Sequence, residues 1–501
     1  MDKVVARCQP WGVVDGSPRR ECRMASPSFL PDAVQVAVVG GGPVGLRLAA
    51  ELSLQGTECL VLERDCRISR VTRALVLHSR TLEFLDMRGI AAPFLDLGHR
   101  YRHYPLGSAH ATVPFAGVDS PFPCALALAQ HRTTHLLEQS ALKNGALVVR
   151  GAEVTGVRED DAGVVLTVRQ SGRTRPIRAA YVAGCDGAHS TVRRLAGIPA
   201  HRIVHPYDVV SVDARLDSPG PPPQQQPWGR WGRDGMALFL PFGDGRWRVI
   251  LYPYRPLPAR RHTPGGPADI DTALAQALLR RITGQGLALR EVEWFSRYRC
   301  EHRHAARYRH RRVLLAGDAA HVHPPTGGQG LNTGIADAMS LGWRLAAAAA
   351  DPRYDGLLDA YARERRQSAA RVMRLTGALL HVNATPAYWG HALRAAALAG
   401  ARLPPVRRRL AVVLAGLQGR SESPGGRVSS GAPAPDVPLT DTATNPHRRL
   451  FEALRTGAHV HLVPPCGTPD PRAAAMTLPL LTVHTDAYRQ PHIVRPDGHF
   501  L

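Results

Sequence analysis

Gly40, Gly42 and Gly45 stand at G-x-G-x-x-G spacing directly after the apolar run 36–39, and Glu63 follows a second apolar run at 59–62. This spacing suits pyrophosphate binding. Gly40 permits a tight turn, Gly42 lets the backbone approach phosphates, and Gly45 lets helix and strand pack closely, so that the amide-rich start of a helix faces negative charge. Glu63, about 20 residues on, is placed to hydrogen-bond ribose hydroxyls. Strand, turn, helix, strand and acid agree, which favours a nucleotide-binding unit over a glycine-rich turn with no ligand. FAD and NAD(P) both satisfy the motif.

A second group lies in "RVLLAGDAAHVHPPTGGQGLNTGIADAMSLGWRLA". Asp318, after Gly317 at the end of a buried strand, is placed either to reach a ribose hydroxyl or to cap the following helix. The glycines between Pro324 and Gly330 allow bare backbone amides to approach a flat ligand edge. His321 and His323 suggest a metal only with a third ligand, which the sequence does not supply, so no metal is expected.

The rest of the chain must position these residues. Its 501 residues, 44% hydrophobic, suffice for a large core and roughly two to four domains. The formal net charge of +22 creates a field that attracts anions such as nicotinamide dinucleotide phosphates. The densest basic run, "RCEHRHAARYRHRR" from Arg299, leads straight into an apolar strand without a nucleic-acid motif, so no nucleic-acid partner is expected. Eight scattered cysteines without a C-x-x-C pair point to reduced thiols and a cytoplasmic location. No apolar run reaches the roughly 18 residues of a membrane span, and no membrane partner is expected. Residues 1–30 lack a secretory h-region and read as a disordered extension, with Met24 as an alternative start.

A helix is expected from about Ser79, with Leu82, Leu85 and Ile90 along one side and Arg73 and Arg80 flanking it. Another occupies "LAQHRTTHLLEQSALKNG", followed by short strands in "AEVTGVRED", "GVVLTVRQ" and "RPIRAAYVAGCDG". Residues 201–300 are strand-like and aromatic-rich, which predicts an antiparallel sheet domain inserted between residues 31–200 and 301–420. Its aromatics, among them Trp228, Trp231, Trp247, Tyr252 and Tyr254, are expected mostly in the core. "SESPGGRVSSGAPAPDVP" reads as a flexible linker, assigned to 421–435. The remaining unit, 436–501, has "HVHLV" and "LLTVH" as expected strands.

Three motifs in this order, Gly40-Gly41-Gly42-Pro43-Val44-Gly45, then Gly184-Cys185-Asp186-Gly187 with Arg193, then Gly317-Asp318, resemble the single-component FAD-dependent aromatic hydroxylases. This class includes p-hydroxybenzoate and phenol hydroxylases. The resemblance runs from residue 34 to about 375, and "RALVLHSRTLEFLDMRGI" and "HPPTGGQGLNTGIADA" look most like actinobacterial aromatic-polyketide hydroxylases, with rifampicin-type monooxygenases close by. It implies an α/β FAD-binding domain, Rossmann-like and of glutathione-reductase type, with an inserted antiparallel-sheet substrate domain and a small C-terminal unit. Relatives close with a thioredoxin-like domain, and Arg495-Pro496-Asp497-Gly498 matches its final turn, so the unit is expected as a shortened version.

By the same resemblance, Gly40, Gly42, Pro43, Val44, Gly45, Glu63 and Arg64 bind the ADP half of FAD, with Arg73 and Gln130 beside the cofactor. Asp186 and Gly187 serve both FAD and NADPH, while Gly317 and Asp318 take the ribityl or ribose region. Pro325, Gly328, Gly330, Leu331 and Asn332 lie against the isoalloxazine, with the amides of Leu331 and Asn332 stabilising charge on the reduced ring and the Pro325 carbonyl near the reacting carbon. Thr134 stands where the family often has Glu. The implied reaction consumes NAD(P)H, with NADPH favoured, and O2, and hydroxylates a phenolic or polycyclic aromatic through a flavin C4a-hydroperoxide. Baeyer–Villiger or oxidative chemistry and a non-catalytic flavin-binding role are the alternatives. The sequence singles out no catalytic base beyond His323 and the tyrosines of the sheet block, and a monomer or homodimer is expected.

Overall fold

The computed structural model describes residues 30–501 except 70–72, 109–110, 218–224, 258–270, 285, 386, 421–428, 441–445 and 466. Residues 1–29 of the expected extension therefore lie outside the described residues. Leu30 does not belong to a free extension, because it is fully buried in the main core.

The glycine motif folds as its spacing predicts. Strand β1 (Ala33–Val39) leads into helix α1 (Pro43–Leu54) and returns through β2 (Cys59–Glu63), which pairs with β1 in parallel. Helix α2 (Gln130–Lys143) precedes β3 (Leu147–Arg150), and β4 (Arg173–Gly184) pairs with the other side of β1. These strands belong to a mixed sheet of eight strands among the described residues. β1 and β2 are nearly continuous apolar runs, as strands covered on both faces require.

The block 200–305 forms a separate antiparallel sheet containing β5 (Ala200–Asp217), β6 (Gly235–Pro241), β7 (Arg246–Pro253) and β8 (Ala288–Ala305). The sequence reading missed helix α3 (Thr272–Thr283) inside this block. β5 and β8 each run for 18 residues. Strand alternation divides the sheet into two faces. Val210, Val212, Phe239, Val249 and Leu251 pack under Leu278, Leu279 and Ile282 of α3. Ser211, Leu238, Leu240, Arg248, Ile250 and Tyr252 face the other way.

The chain re-enters the first sheet at β9 (Val313–Leu315), turns at Gly317–Ala319, and continues into helices α4 (Gln329–Ala350), α5 (Gly356–Ala384), α6 (Ala387–Arg402) and α7 (Pro404–Ala415). The second half of the expected linker is packed rather than loose. Ala432, Ala434 and Val437 join the main core, and the Ala434 amide donates to the Gly498 carbonyl at 3.0 Å. The two expected C-terminal strands form at His459–Val463 and Leu480–His484, with His492–Val494 as a third. Their buried Phe451, Val460, Leu462 and Phe500 share one core with β1 and α1. Arg80, steadied by Glu83 of its own helix at 2.8 Å, fastens this unit by donating to the Gly498 carbonyl at 2.7 Å.

Candidate functional site

A cavity of about 380 Å³ opens between the first sheet's helix starts and the free face of the antiparallel sheet. Helix α1 reaches it because Gly40, at φ +110°, turns the chain sharply, and because Gly45 carries no side chain. A Cβ at Gly45 would stand 1.9 Å from the Gly40 carbonyl oxygen. Gly42 has open space where its side chain would be, and no side chain caps the helix, so the first-turn amides of Val44, at the cavity, and of Gly45 behind it have no acceptor within the helix. A cradle of this kind fits a pyrophosphate.

The surrounding residues sort into those that meet the cavity and those that do not. Gly42, Pro43, Val44, Arg73, Gln130, Gly187, Asp318, Pro325, Gly328, Gly330 and Leu331 line it. Gly40, Gly45, Glu63, Arg64, Asp186, Gly317 and Asn332 are not in its wall. Glu63 turns back to accept from the Gly41 amide at 2.6 Å, which holds the glycine turn in place. Arg64 stands 74% exposed beside Asp65. One carboxylate oxygen of Asp186 accepts from the amides of Thr191 and Val192, while the other is buried without a partner.

Asp318 does not act as a helix cap. The 3-10 turn that contains it begins at Ala316 without a side-chain cap bond. Its carboxyl is open toward the cavity and enclosed elsewhere, and burial raises its pKa despite the nearby His321 and Arg73. The turn is anchored by Asp337, whose carboxylate takes the Gly317 amide at 3.0 Å, His321 Nε2 at 2.6 Å and Arg365 at 2.7 Å. Burial pushes the Asp337 pKa up, but His321 and Arg365 together bring it below the usual range. His321 is thus part of a structural hydrogen-bond network.

On the opposite strand-end loop, the Gln130 side-chain oxygen accepts the amides of Arg73 and Ala74 at 3.1 and 2.9 Å. That places the Arg73 side chain at the cavity. Thr134 bonds back to the Gln130 carbonyl at 2.8 Å, within the helix.

Helix α4 is a second uncapped start. Gly327 and Gly328 adopt φ +77° and +63°, and Gly328 is its N-cap without a side-chain bond. The amides of Gln329, Gly330 and Leu331 have no acceptor within the helix. Asn332 contributes through its side chain. Its oxygen accepts the His78 amide at 2.8 Å and the Thr81 hydroxyl at 2.7 Å, and its nitrogen donates to the carbonyls of Val76 and Gly328 at 2.9 and 2.8 Å. His78, unnoticed in the sequence, places Nε2 at 3.0 Å from the Gly327 carbonyl and 3.2 Å from that of Gly328. Burial pushes its pKa down to about 4 against those two bonds, so the ring is neutral and Nε2–H donates.

The far wall is apolar and phenolic: Leu238, Leu240, Ile250, Tyr104, Tyr252 and Tyr298. Burial raises the pKa of Tyr104 to about 12 and that of Tyr298 further, so both phenols are protonated at neutral pH. Arg248 in this wall is held by Asp213 through two bonds of 2.7 Å and reaches the Arg73 carbonyl at 3.3 Å. His323 also lines the cavity. Its Nε2 is buried without a partner, and burial pushes its pKa down to about 3. The wall residues come from strands far apart in sequence, and only their period-2 alternation signals a shared face.

With this geometry in hand, the chain matches the FAD binding domain family over residues 33–376. It is 36% identical over 484 residues to the 12-dehydrotetracycline 5-monooxygenase/anhydrotetracycline 6-monooxygenase of Streptomyces rimosus, covering 90% of this chain and 94% of that protein. It is 37% identical over 352 residues to the rifampicin monooxygenase of Streptomyces venezuelae, covering 70% and 72%. Among solved structures, the OxyS anhydrotetracycline hydroxylase of Streptomyces rimosus superposes with a TM-score of 0.80 at 33% identity, over 93% of this chain and 95% of that one.

Proposed function

Because the chain belongs to the FAD binding domain family and is an FAD-dependent monooxygenase, we propose that it hydroxylates a phenolic or polycyclic aromatic substrate, of the polyketide kind, at the expense of NAD(P)H. The observation that carries this reading is one cavity bounded by two uncapped helix starts on one side and an apolar, tyrosine-bearing sheet face on the other. When bound, FAD supplies electron transfer from NAD(P)H and the activation of O2.

The chain's own residues supply position and field. The Val44 and Gly45 amides hold the pyrophosphate, and Glu63, through the Gly41 turn, shapes the ribose side. Asp318 accepts a hydroxyl of the ribityl or ribose region, with Arg73 and Gln130 across from it. The open start of α4, at Gly330 and Leu331, presents the positive end of a helix to charge on the reduced isoalloxazine. Pro325 borders the same space. Asp186 and Gly187 form the entry edge where NADPH docks transiently, favoured by the net charge of +22. Residues 31–200 and 301–420 hold the cofactor and 201–300 face the substrate, in a cytoplasmic enzyme that works as a monomer or homodimer.

The test is NADPH oxidation and oxygen uptake by the FAD-loaded protein with a panel of polycyclic phenols and quinones. The expected result is strong acceleration by one ligand class, with one atom from labelled O2 in a hydroxylated product. Ligand binding that perturbs the flavin spectrum without stimulating oxidation would reject the reading in favour of a binding protein.

A further inference from the structure

Helices α6 and α7 carry a surface that the reaction does not use. From Arg365 to Ser421 the chain has ten arginines and no Asp or Glu. Within that acid-free stretch stand four exposed large apolar side chains: Trp389 at 79%, Leu393 at 41%, Leu403 at 55% and Val406 at 38%. Arg402, Arg407, Arg408 and Arg409 are exposed beside them.

The rotation of α6 is fixed from inside. Arg394 turns inward and is 3% exposed, with its guanidinium 5.0 Å above the Tyr254 ring and 5.8 Å from that of Trp231. Trp389 and Leu393, four residues apart, therefore share one outward side. Of the seven exposed positions between Trp389 and Arg402, five are alanines, so Trp389 and Leu393 stand out from an otherwise small exposed surface.

A specific protein interface would deplete charge at its core and offer fitted complementary relief. Here single apolar side chains project among alanines and are flanked by arginines, the pattern of a helix lying in a lipid interface. We propose that α6 and α7 bind the surface of an anionic lipid bilayer, with Trp389 and Leu393 entering the boundary between headgroups and acyl chains and Arg402 and Arg407 to Arg409 meeting lipid phosphates. No span is needed for this, and no helix among the described residues is long and apolar enough to cross a membrane. The sequence expectation of no membrane partner rested on spans alone, and the proposal concerns a surface contact that spans do not address. Asn383, near the end of α5, lines the cavity, so the lipid-facing hairpin borders the site where an apolar polycyclic substrate would enter.

Sedimentation of the full-length, FAD-loaded protein with vesicles tests this. Vesicles of phosphatidylcholine alone are compared with equimolar phosphatidylcholine and phosphatidylglycerol, at low and high salt. The expected result is binding to the anionic vesicles that high salt weakens. The double variant Trp389→Ser, Leu393→Ser and the triple variant Arg407→Glu, Arg408→Glu, Arg409→Glu each lose about tenfold or more in vesicle affinity, with flavin absorbance and Tm unchanged. Wild-type protein that stays in solution with anionic vesicles, or a double variant that binds as wild type does, overturns the proposal. A dimer that the double variant converts to monomer assigns the face to a second copy and also overturns it. Ligand-stimulated NADPH oxidation without vesicles is read separately, so failure here leaves the monooxygenase reading standing.

Discussion

Helices α1 and α4 open on the same cavity with the same unmet amides, yet they are held by different means. The start of α1 is fixed locally: Gly40 turns, Gly45 yields to the Gly40 carbonyl, and Glu63 ties the Gly41 amide, all within the first βαβ unit. The start of α4 is fixed at a distance, by Asn332 and His78 joining segments about 250 residues apart. A local turn allows no alternative geometry. A long-range clasp can be loosened by one side chain, which makes the start of α4 the adjustable one of the pair.

The strongest way to break the comparison is Gly45→Ala. The added Cβ has backbone oxygen 1.9 Å away, and overpacking against backbone is expected to cost about 3 kcal/mol or more and to abolish FAD retention, read by Tm and by flavin content. Asn332→Ala comes next. It strands the His78 amide and the Gly328 and Val76 carbonyls, for a loss of about 3 kcal/mol by urea denaturation, with pyrophosphate-end binding of ADP unchanged. If ADP affinity falls in parallel, the two helix starts are not independently held.

Asp318→Ala separates binding from stability. FAD affinity is expected to fall by about 2 kcal/mol, the worth of a hydrogen bond to a charged group. The apo-protein's Tm should hold or rise, because a carboxyl whose pKa the fold raises is removed.

The smallest effect is a pH slope. The folded pKa of His78, about 4, lies below its ordinary value of 6.5, so the folded protein binds fewer protons than the unfolded chain. The stability permitted by neutral His78 is whole above pH 6.5 and is lost as the pH falls toward 4. In His78→Gln, which keeps a donor for the Gly327 and Gly328 carbonyls, stability should drop by about 1 kcal/mol less than in wild type between pH 7 and pH 5.5. Equal slopes would show that His78 titrates freely.

The same division explains what could be read from the sequence. The α1 turn, the Asp318 position and the glycine loop before α4 are short-range patterns, and all three reach the cavity or build its rim. Glu63 was legible as part of the site, but its turn toward Gly41 depends on side-chain geometry that spacing does not carry. His78 and the Asp213–Arg248 pair were not legible, because their partners are distant in sequence and meet only in the fold. The packed second half of the expected linker was misread for a related reason. Its Pro, Gly and Ser content signals a loop, while Ala432 and Ala434 are small enough to fill gaps in a core that other segments build.

The pleat of the antiparallel sheet has an evolutionary consequence. Along β7, Val249 and Leu251 belong to the packed side, and Arg248, Ile250 and Tyr252 to the cavity. On the proposed assignment of this face to the substrate, preference can drift at every second position while the intervening residues stay under selection for folding. Variation confined to one parity of these strands would then be the historical trace of changing substrates.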